Sequence, residues 1–445
     1  MITKISLLGH YTAKQAAREK LYDQVGYKVP LLSLSADQRL GIGPIDRIVK
    51  SGKSLTYEQA YGGMLLVLAA TNQMIEAELR RVWSEFPSSE ALKYKAVSFL
   101  QLMATKEALQ CITAEEVAGC VAATRLDVVP LDLTDEPIVE TCGMGGDQGF
   151  LIGGRPFKTI NVSTLTSFVL SALGHLVVKH GSYGNTTAVG STDALDLLGA
   201  RTTQQSLKEI ETLFAATGYY YADAHNFKTV HDLSHLLGHE TINHIIGPMT
   251  LPLRLHQPIY KIMGVNDKVS PQTVALSYQI LVEKGLINLV NGAIVAGLAD
   301  DVSGQNLEEL GFANQVILDE LSPASSVVAF IRAGRFVDQK IITPRDFGIS
   351  LSWDDILVDS EIASVKQANL TALESGSAGH PLQSYLAMNA ALGLFVIKDL
   401  GGLDDDSEWT ERLKVRYQEC LAVLQSGAVR GLVKSYSGIS RRISF

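Results

Sequence analysis

The chain has 445 residues, of which 46% are hydrophobic and 19% are charged, and its net charge at pH 7 is -9. This length favours two domains, and this composition excludes a largely disordered protein. The negative net charge offers no basic field to a phosphate backbone, which argues against nucleic acid binding.

The N-terminal segment and the cysteines bear on the cellular compartment. The first apolar run is short and soon becomes charged, so it does not match a secretory signal. The longest strongly apolar stretch, residues 64–70, is far shorter than the roughly 20 residues that cross a bilayer. Cys111, Cys120, Cys142 and Cys420 have no C-x-x-C spacing and favour reduced thiols. We therefore expect a cytoplasmic protein without a membrane span.

The pattern of apolar residues along the chain changes near Pro130. Before it, apolar residues three and four positions apart predict helices, and Thr113 with Glu116 predicts a capping box. After it, short apolar runs end in glycine-rich turns and alternate with helical segments, which predicts a mostly parallel sheet flanked by helices. We expect an N-terminal extension at 1–44, a small all-α domain at 45–128 with inserted helices at about 205–245, and an α/β domain at 129–204 and 246–445.

The first candidate site is the segment GMGGD, with Gly143, Gly145, Gly146 and Asp147, directly after a predicted strand. Glycines let backbone N–H groups approach a phosphate closely. An acidic side chain there can accept from a sugar hydroxyl or hold a metal-bound water. Alone, the segment equally fits an ordinary turn.

The second candidate is the segment NVST, in which Asn161, Ser163 and Thr164 begin a predicted helix. The free N–H groups and the dipole at a helix start favour phosphate. An ordinary N-cap would use the same residue types, so both interpretations stay open.

Two further elements complete the series. Lys179 ends another predicted strand, at the rim where open α/β sheets bind ligands, although a solvated rim lysine is the alternative. Asp319 and Glu320 are adjacent carboxylates before a predicted strand pair. Neighbouring carboxylates suit Mg²⁺, which keeps several water ligands and whose coordination shell is completed by substrate phosphates.

In this order, the segments GMGGD, NVST, KHG, GSTDALDLLG, GPMT and DELS resemble the anthranilate phosphoribosyltransferase family, with its nucleoside phosphorylase-phosphoribosyltransferase fold. The resemblance covers about nine-tenths of the chain, and several separated motifs in one order are more specific than any one of them. It implies an α/β domain with a small helical domain, phosphoribosyl diphosphate (PRPP) between them, Mg²⁺ as cofactor and a homodimer through the helical domain.

The activity that the resemblance implies is transfer of the 5-phosphoribosyl group from PRPP to an aromatic or heteroaromatic acceptor, with no residue acting as nucleophile. It implies that PRPP is bound by Gly143, Gly145, Gly146, Asp147, Asn161, Ser163, Thr164, Lys179, Gly181 and Ser191. It implies that Mg²⁺ is bound by Ser163, Asp319 and Glu320. It implies that the acceptor is bound by His180, Ser182, Tyr183, Ser234, His235 and Pro248.

The sequence departs from the family pattern at several of these places. Met144 replaces a usual threonine, and Ser182, Tyr183 and Ala188 replace a usual asparagine, arginine and lysine. Ser234 stands where the family presents an arginine to the carboxylate of anthranilate. A serine hydroxyl cannot make that bidentate charged contact, so we expect anthranilate to be a poor acceptor. Inserts at 148–158 and 297–316 accompany these changes.

Other functions remain open at this point. The chain could be an anthranilate phosphoribosyltransferase of tryptophan biosynthesis, a pyrimidine nucleoside phosphorylase, or a non-catalytic relative that binds a ligand or nucleic acid. His231, His235 and His239 have a spacing that fits metal ligands on one helix face, or else polar lining. The run Tyr219–Tyr221, in a stretch predicted to be helical over 205–237, could stack on an acceptor or belong to the core.

Overall fold

The computed structural model describes residues 4–145, 150–152, 155–184, 189–203, 206–230, 241–305, 316–376 and 379–442. Its strands are β1 Ile138–Gly143, β2 Phe150–Ile152, β3 Arg155–Lys158, β4 Leu176–Gly181, β5 Tyr219–Asp223, β6 Pro258–Gly264, β7 Asn288–Leu298, β8 Val316–Leu318, β9 Ser326–Arg332, β10 Arg335–Ile342 and β11 Val358–Asp359. The central sheet has the order β10-β9-β7-β6-β1-β4-β5, and β8 pairs with β7. Strands β7, β6, β1, β4 and β5 are parallel, while β8, β9 and β10 pair antiparallel. The predicted α/β class with a mostly parallel sheet is confirmed.

The α-helices are α1 Lys4–Gln24, α2 Ile42–Lys50, α3 Tyr57–Thr71, α4 Gln73–Val82, α5 Ser89–Ala108, α6 Ala114–Thr124, α7 Val162–Ala172, α8 Ser191–Leu197, α9 Leu207–Thr217, α10 Asn243–Met249, α11 Pro271–Glu283, α12 Trp353–Ile356, α13 Ile362–Leu373, α14 Pro381–Lys398, α15 Asp406–Gln425 and α16 Ala428–Arg442. Among the described residues, none of these helices combines the length and apolar character that a bilayer crossing requires.

Helices α2 to α6 form the helical part that the apolar periodicity predicts. Helix α3 lies at its centre and packs against α5 and α6. The predicted capping box of α6 is present: Thr113 Oγ1 accepts from the backbone N–H of Glu116, and the Glu116 carboxylate accepts from the backbone N–H of Thr113. Helix α11 packs on both α6 and the sheet, so it joins the two parts through buried apolar surface.

Helices cover the faces of the sheet and fix its carboxyl edge. Helix α7 packs against β1 and β4, and α14 packs against α7, β6 and β7. The inner strands β1 and β4 are buried over nearly their whole length, as expected for parallel strands covered on both faces. The carboxyl ends of β1, β4, β5 and β6 therefore point to one common edge.

The helical interpretation of residues 205–237, and with it that of the inserted helices at 205–245, is wrong for Tyr219–Asp223. Helix α9 ends at Thr217, Gly218 adopts a left-handed conformation with φ 64°, and the chain enters β5. Tyr219, Tyr220 and Tyr221 are fully buried, so of the two alternatives left open by the sequence they belong to the core. Their phenol rings favour a strand as much as a helix, and pairing with β4 decides between the two.

The described residues of both inserts include β-strands. In the insert at 148–158, β2 and β3 form a hairpin, and β11 adds to β3 from a distant part of the chain. The insert at 297–316 begins inside β7 and ends at the first residue of β8, so its two ends belong to strands. The three-stranded sheet β2-β3-β11 lies outside the central sheet.

The N-terminal extension packs onto the α/β part. Arg18 in α1 donates to the carbonyl oxygens of His225 and Lys228 at 3.2 and 2.7 Å. Lys14 in the same helix forms a buried ion pair of 2.7 Å with Asp223 at the end of β5. Helix α1 therefore reaches the edge of the sheet at which the inner strands end.

Candidate functional site

Two glycines leave space for another residue at the carboxyl edge of the sheet. Gly143 in β1 and Gly264 in β6 lie opposite each other in register. Asp319 occupies the space above them, and a Cβ atom at either position would overlap it. Gly145 has a φ angle of 70°, and its backbone N–H donates to Asp319 Oδ2 at 2.9 Å. The glycine turn and the acidic pair, far apart in sequence, are thus in direct contact.

The acidic pair faces a pocket that we call the central pocket. It is bounded by Gly143–Gly145, the start of α7, the end of β4 and the pair Asp319 and Glu320. The Thr159 hydroxyl donates to Glu320 Oε1 at 2.8 Å, which orients that carboxylate. Carboxylate oxygens on a fixed turn are suitable ligands for Mg²⁺, so the donor set fits the predicted metal.

The start of α7 forms the next wall. Asn161 and Ser163 line the pocket, and the Ser163 carbonyl oxygen accepts from the hydroxyl of Thr141 at 2.9 Å. The backbone N–H of Asn161 donates to Asn369 Oδ1 at 2.9 Å, and Asn369 Nδ2 donates back to Asn161 Oδ1 at 2.8 Å. Thr164, by contrast, is fully buried and is not among the residues that line the pocket.

The end of β4 contributes His180, Gly181, Ser182 and Tyr183 to the pocket wall. Lys179, which the sequence places at the rim, is instead fully buried and donates to the His180 carbonyl oxygen at 2.6 Å. Its side chain is on the opposite face of the strand from His180, since neighbouring residues alternate. Direct donation from Lys179 to a ligand in the pocket is therefore absent from this arrangement.

The turn after β4 is closed by a single carboxylate. Asp193 Oδ2 accepts from the backbone N–H groups of Gly184 and Gly190, each at 2.8 Å. A Cβ on Gly190 would overlap the backbone at Gly184, so the two segments approach as closely as glycine allows. Ser191, at the start of α8, lines the pocket beside them, as does Pro248 on another wall.

Asp223 connects the N-terminal helix to this turn. Its carboxylate accepts from Lys14, from the hydroxyl of Thr192 at 2.7 Å and from His225 Nδ1 at 2.9 Å. Burial alone would raise the pKa of Asp223, but the Lys14 ammonium and the hydrogen bonds hold this pKa well below its usual range. Lys14 Nζ also lies 4.9 Å from the centre of the Tyr183 ring, a residue of the pocket wall.

A buried charged cluster lies beneath the pocket. Lys261 pairs with Glu140, its neighbour in register, and donates to the Pro248 carbonyl oxygen at 2.8 Å. Lys228 donates to the Gly247 carbonyl oxygen at 2.7 Å, and burial lowers the pKa of Lys228 to about 7. Lysine ammoniums therefore support the backbone of the GPMT segment from below.

Glu140, Cys142 and His180 place possible metal-ligand atoms within 4.8 Å of one another. Burial raises the pKa of the Cys142 thiol, and a thiol ligates metals as the thiolate. The Glu140 carboxylate already forms an ion pair with the Lys261 ammonium. We therefore interpret this group as part of the buried charged cluster.

Sequence reasoning missed several residues of the pocket. Lys158 lines it from the inserted hairpin and Thr159 from directly after it, and Asn243, His244 and Gly247 line it from α10. Gly247 belongs to the recognised GPMT segment and Thr159 lies just before the NVST segment, which was the available signal. Lys158 lies in the segment treated as an insert, and nothing in the local pattern distinguished it.

Some predicted residues lie outside the described residues. They are Gly146, Asp147, Ser234 and His235, together with the proposed histidine ligands His231 and His239 and the substituted position Ala188. Of the other predicted site residues, Gly143, Gly145, Asn161, Ser163, His180, Gly181, Ser182, Tyr183, Ser191, Pro248, Asp319 and Glu320 all line the central pocket.

Comparison with known proteins identifies similar chains. Residues 135–287 match the family described as glycosyl transferase family, a/b domain. An anthranilate phosphoribosyltransferase from Synechococcus sp. is 28% identical over 342 residues, which span 73% of this chain and 83% of that protein. A protein of the same name from Vibrio cholerae is 28% identical over 328 residues, which span 72% and 84%.

Solved structures share the fold. Anthranilate phosphoribosyltransferase from Saccharomyces cerevisiae in complex with PRPP and Mg superposes with a TM-score of 0.64 at 20% identity, and covers 92% of this chain and 99% of that one. The enzyme from Thermus thermophilus gives a TM-score of 0.61 at 21% identity, and covers 89% and 98%. These likenesses extend over both the helical and the α/β parts.

Proposed function

Because the chain belongs to the family of the anthranilate phosphoribosyltransferases, we propose that it transfers the 5-phosphoribosyl group from PRPP to an aromatic or heteroaromatic acceptor. The observation that carries this proposal is the contact between Gly145 and Asp319 in the central pocket. It brings the glycine turn, the start of α7 and the acidic pair around one space, as binding of a metal-complexed sugar diphosphate requires.

Donor binding uses several kinds of group. The glycine turn and the α7 start line the pocket, and the start of a helix suits phosphate oxygens. Asp319 and Glu320, with Ser163 on the α7 side, are the residues that would hold Mg²⁺. The ion, when bound, would neutralise negative charge that develops on the departing diphosphate.

The reaction requires no protein nucleophile. Cleavage of the C1–diphosphate bond leaves positive charge on the sugar ring and negative charge on the leaving group, and preorganised N–H donors stabilise the latter. The acceptor then needs positioning over C1, which is mainly an entropic contribution. His180, Ser182, Tyr183 and Pro248 form the described walls on which an aromatic acceptor would lie.

The acceptor is proposed to differ from anthranilate. Ser234 replaces an arginine by the resemblance, and no arginine is present among the described residues that line the central pocket. A steady-state assay with PRPP, Mg²⁺ and anthranilate tests this: we expect turnover far below that with the preferred member of an aromatic acceptor panel. Turnover at an ordinary biosynthetic rate, from about 1 to 1,000 per second, would reject the altered specificity.

We also propose a homodimer formed through the helical part and a cytoplasmic location. The four cysteines are free thiols, which suits a reducing compartment. Sedimentation analysis of the full chain measures the oligomeric state directly, and a monomer at micromolar concentration would reject the dimer.

Calorimetric titration with PRPP tests the donor site. We expect binding that is much tighter with Mg²⁺ than without it, and a matching rise in the unfolding temperature. The variant Glu320→Gln removes one acidic ligand and should weaken this dependence on Mg²⁺, whereas Glu361→Gln, at an exposed residue that does not line the pocket, should not. Absence of any PRPP binding by the wild-type protein would overturn the proposed function.

A further inference from the structure

Lys158 lies at the end of β3, in the inserted hairpin, and its side chain lines the central pocket while only 8% exposed. Its place is fixed by backbone pairing, because it stands opposite Val358 of β11. Among the described residues that line the pocket, it is the one lysine or arginine.

Three other buried lysines of the described chain have carboxylate partners. Lys14 pairs with Asp223, Lys106 pairs with Glu116 and Lys261 pairs with Glu140. Lys179 and Lys228 do not line the pocket and face the Glu140 cluster beneath it.

Lys158 differs from Lys14, Lys106 and Lys261 in its partner, and from Lys179 and Lys228 because it lines the pocket. Within the part of the chain that the structure describes, no carboxylate forms an ion pair with it, and its ammonium donates to the Val189 carbonyl oxygen at 3.2 Å. A buried cation without a counter-ion is energetically unfavourable, and a lining lysine can gain that counter-ion from a ligand.

The surroundings of Lys158 suit one class of ligand. The Val189 carbonyl oxygen that accepts from Lys158 also accepts from Asn161 Nδ2 at 3.1 Å, so the ammonium lies beside the start of α7. A phosphate at that place could meet both a point charge and the N–H groups of the helix. The other ionisable groups on the pocket wall include Asp319 and Glu320, which repel a bare phosphate.

We propose that Lys158 is a binding residue for a phosphate group of the phosphoribosyl donor, supplied by the inserted hairpin. This rests on the proposed function, since it assigns the cation that this function requires. It also makes the strand β11 a positioning element, because β11 holds β3 and so the stem of the lysine against the pocket.

The test compares wild type with Lys158→Met, which keeps the stem and removes the charge, and with Lys158→Arg, which keeps the charge. The matched control is Lys366→Met, an exposed lysine on α13. Affinity for PRPP with Mg²⁺ and for inorganic pyrophosphate with Mg²⁺ is measured by calorimetry, and the unfolding temperature is measured without ligand. We expect Lys158→Met to weaken PRPP binding by about ten- to a hundredfold, with Lys158→Arg retaining most of it and Lys366→Met unchanged.

The unliganded protein provides the second measurement. Since Lys158 is a buried cation without a carboxylate partner, its replacement by methionine should leave the unfolding temperature unchanged or raise it. A lowered unfolding temperature with unchanged PRPP affinity would show a structural role and overturn the inference. If Lys158→Met and wild type bind PRPP equally well, the role of Lys158 is rejected and the proposed function is not. If the wild-type protein binds neither PRPP nor pyrophosphate, both the role of Lys158 and the proposed function are rejected.

Discussion

Asn161 and Asn369 form a reciprocal amide pair, in which Asn369 accepts from the backbone of Asn161 and donates to its side chain at 2.9 and 2.8 Å. This pair attaches α13 to the first residue before α7. Because both residues are buried, the alignment of the α7 start depends on a helix that is not itself part of the pocket wall.

The variant Asn369→Ala is therefore expected to leave buried polar atoms of Asn161 unsatisfied. The expected loss in the free energy of unfolding is about 1–3 kcal/mol, with weaker PRPP binding besides. Chemical denaturation and calorimetry measure the two effects. Asn288→Ala, which removes an exposed hydrogen bond to His256, should cost much less, and equal losses in the two variants would contradict the prediction.

Gly264→Ala should displace Asp319. The new Cβ would overlap the Asp319 backbone, which cannot yield as a flexible side chain does, so we expect a loss of about 1–3 kcal/mol in unfolding free energy and loss of Mg²⁺-dependent donor binding. Gly43→Ala, at a helical position with no atom near the added Cβ, is the control and should be neutral or slightly stabilising. Retention of full donor affinity in Gly264→Ala would argue against a role for the glycine gap.

Thr159→Val tests how the Glu320 carboxylate is oriented. The substitution removes the hydroxyl that donates to Glu320 and keeps the branched shape. We expect a fall in kcat/KM of about tenfold and a higher Mg²⁺ concentration for half-maximal rate, corresponding to roughly 1.4 kcal/mol. Thr159→Ser retains the hydroxyl and should remain close to wild type. If the valine variant has the same kinetic constants as wild type, this hydrogen bond does not contribute to catalysis.

Lys228 predicts a dependence of stability on pH. Burial lowers its pKa to about 7 in the folded protein, whereas an unfolded lysine has a pKa of about 10.4. Between these values the unfolded chain binds more protons, so this residue makes the free energy of unfolding rise with pH, by up to about 1.4 kcal/mol per unit. The stability of wild type relative to Lys228→Met should therefore increase from about pH 7 to pH 9.5. Profiles of unfolding free energy against pH that run parallel for wild type and Lys228→Met would refute this. The control variant Lys208→Met, at an exposed lysine, should give a profile parallel to that of wild type.

Local patterns predicted the parts of the fold that local chemistry determines. The capping box of Thr113 and Glu116 and the glycine turn after β1 are examples, since each depends on residues a few positions apart. The run Tyr219–Asp223 was misassigned because its strand conformation depends on pairing with β4 and on burial. Its sequence carries no alternation, as both faces of the strand are covered.

For the candidate site, motif order predicted which segments meet, but not how each side chain is used. The burial of Lys179 follows from side-chain alternation in β4, and the position of Lys158 follows from pairing of β3 with the distant β11. Neither relation is visible in a linear motif. Asn369 is likewise absent from the recognised segments, because its contribution is contact across the fold.

The strand order has a consequence for how the protein is made. Strand β1 is the first strand in the chain, yet it lies between β4 and β6 in the interior of the sheet, and Asp319 closes the space beside it only later. A ribosome must therefore deliver most of the polypeptide before the pocket can exist. Pairing between such distant segments slows folding, so the incomplete nascent chain exposes its unpaired apolar strands for longer and is the stage at which chaperones would act.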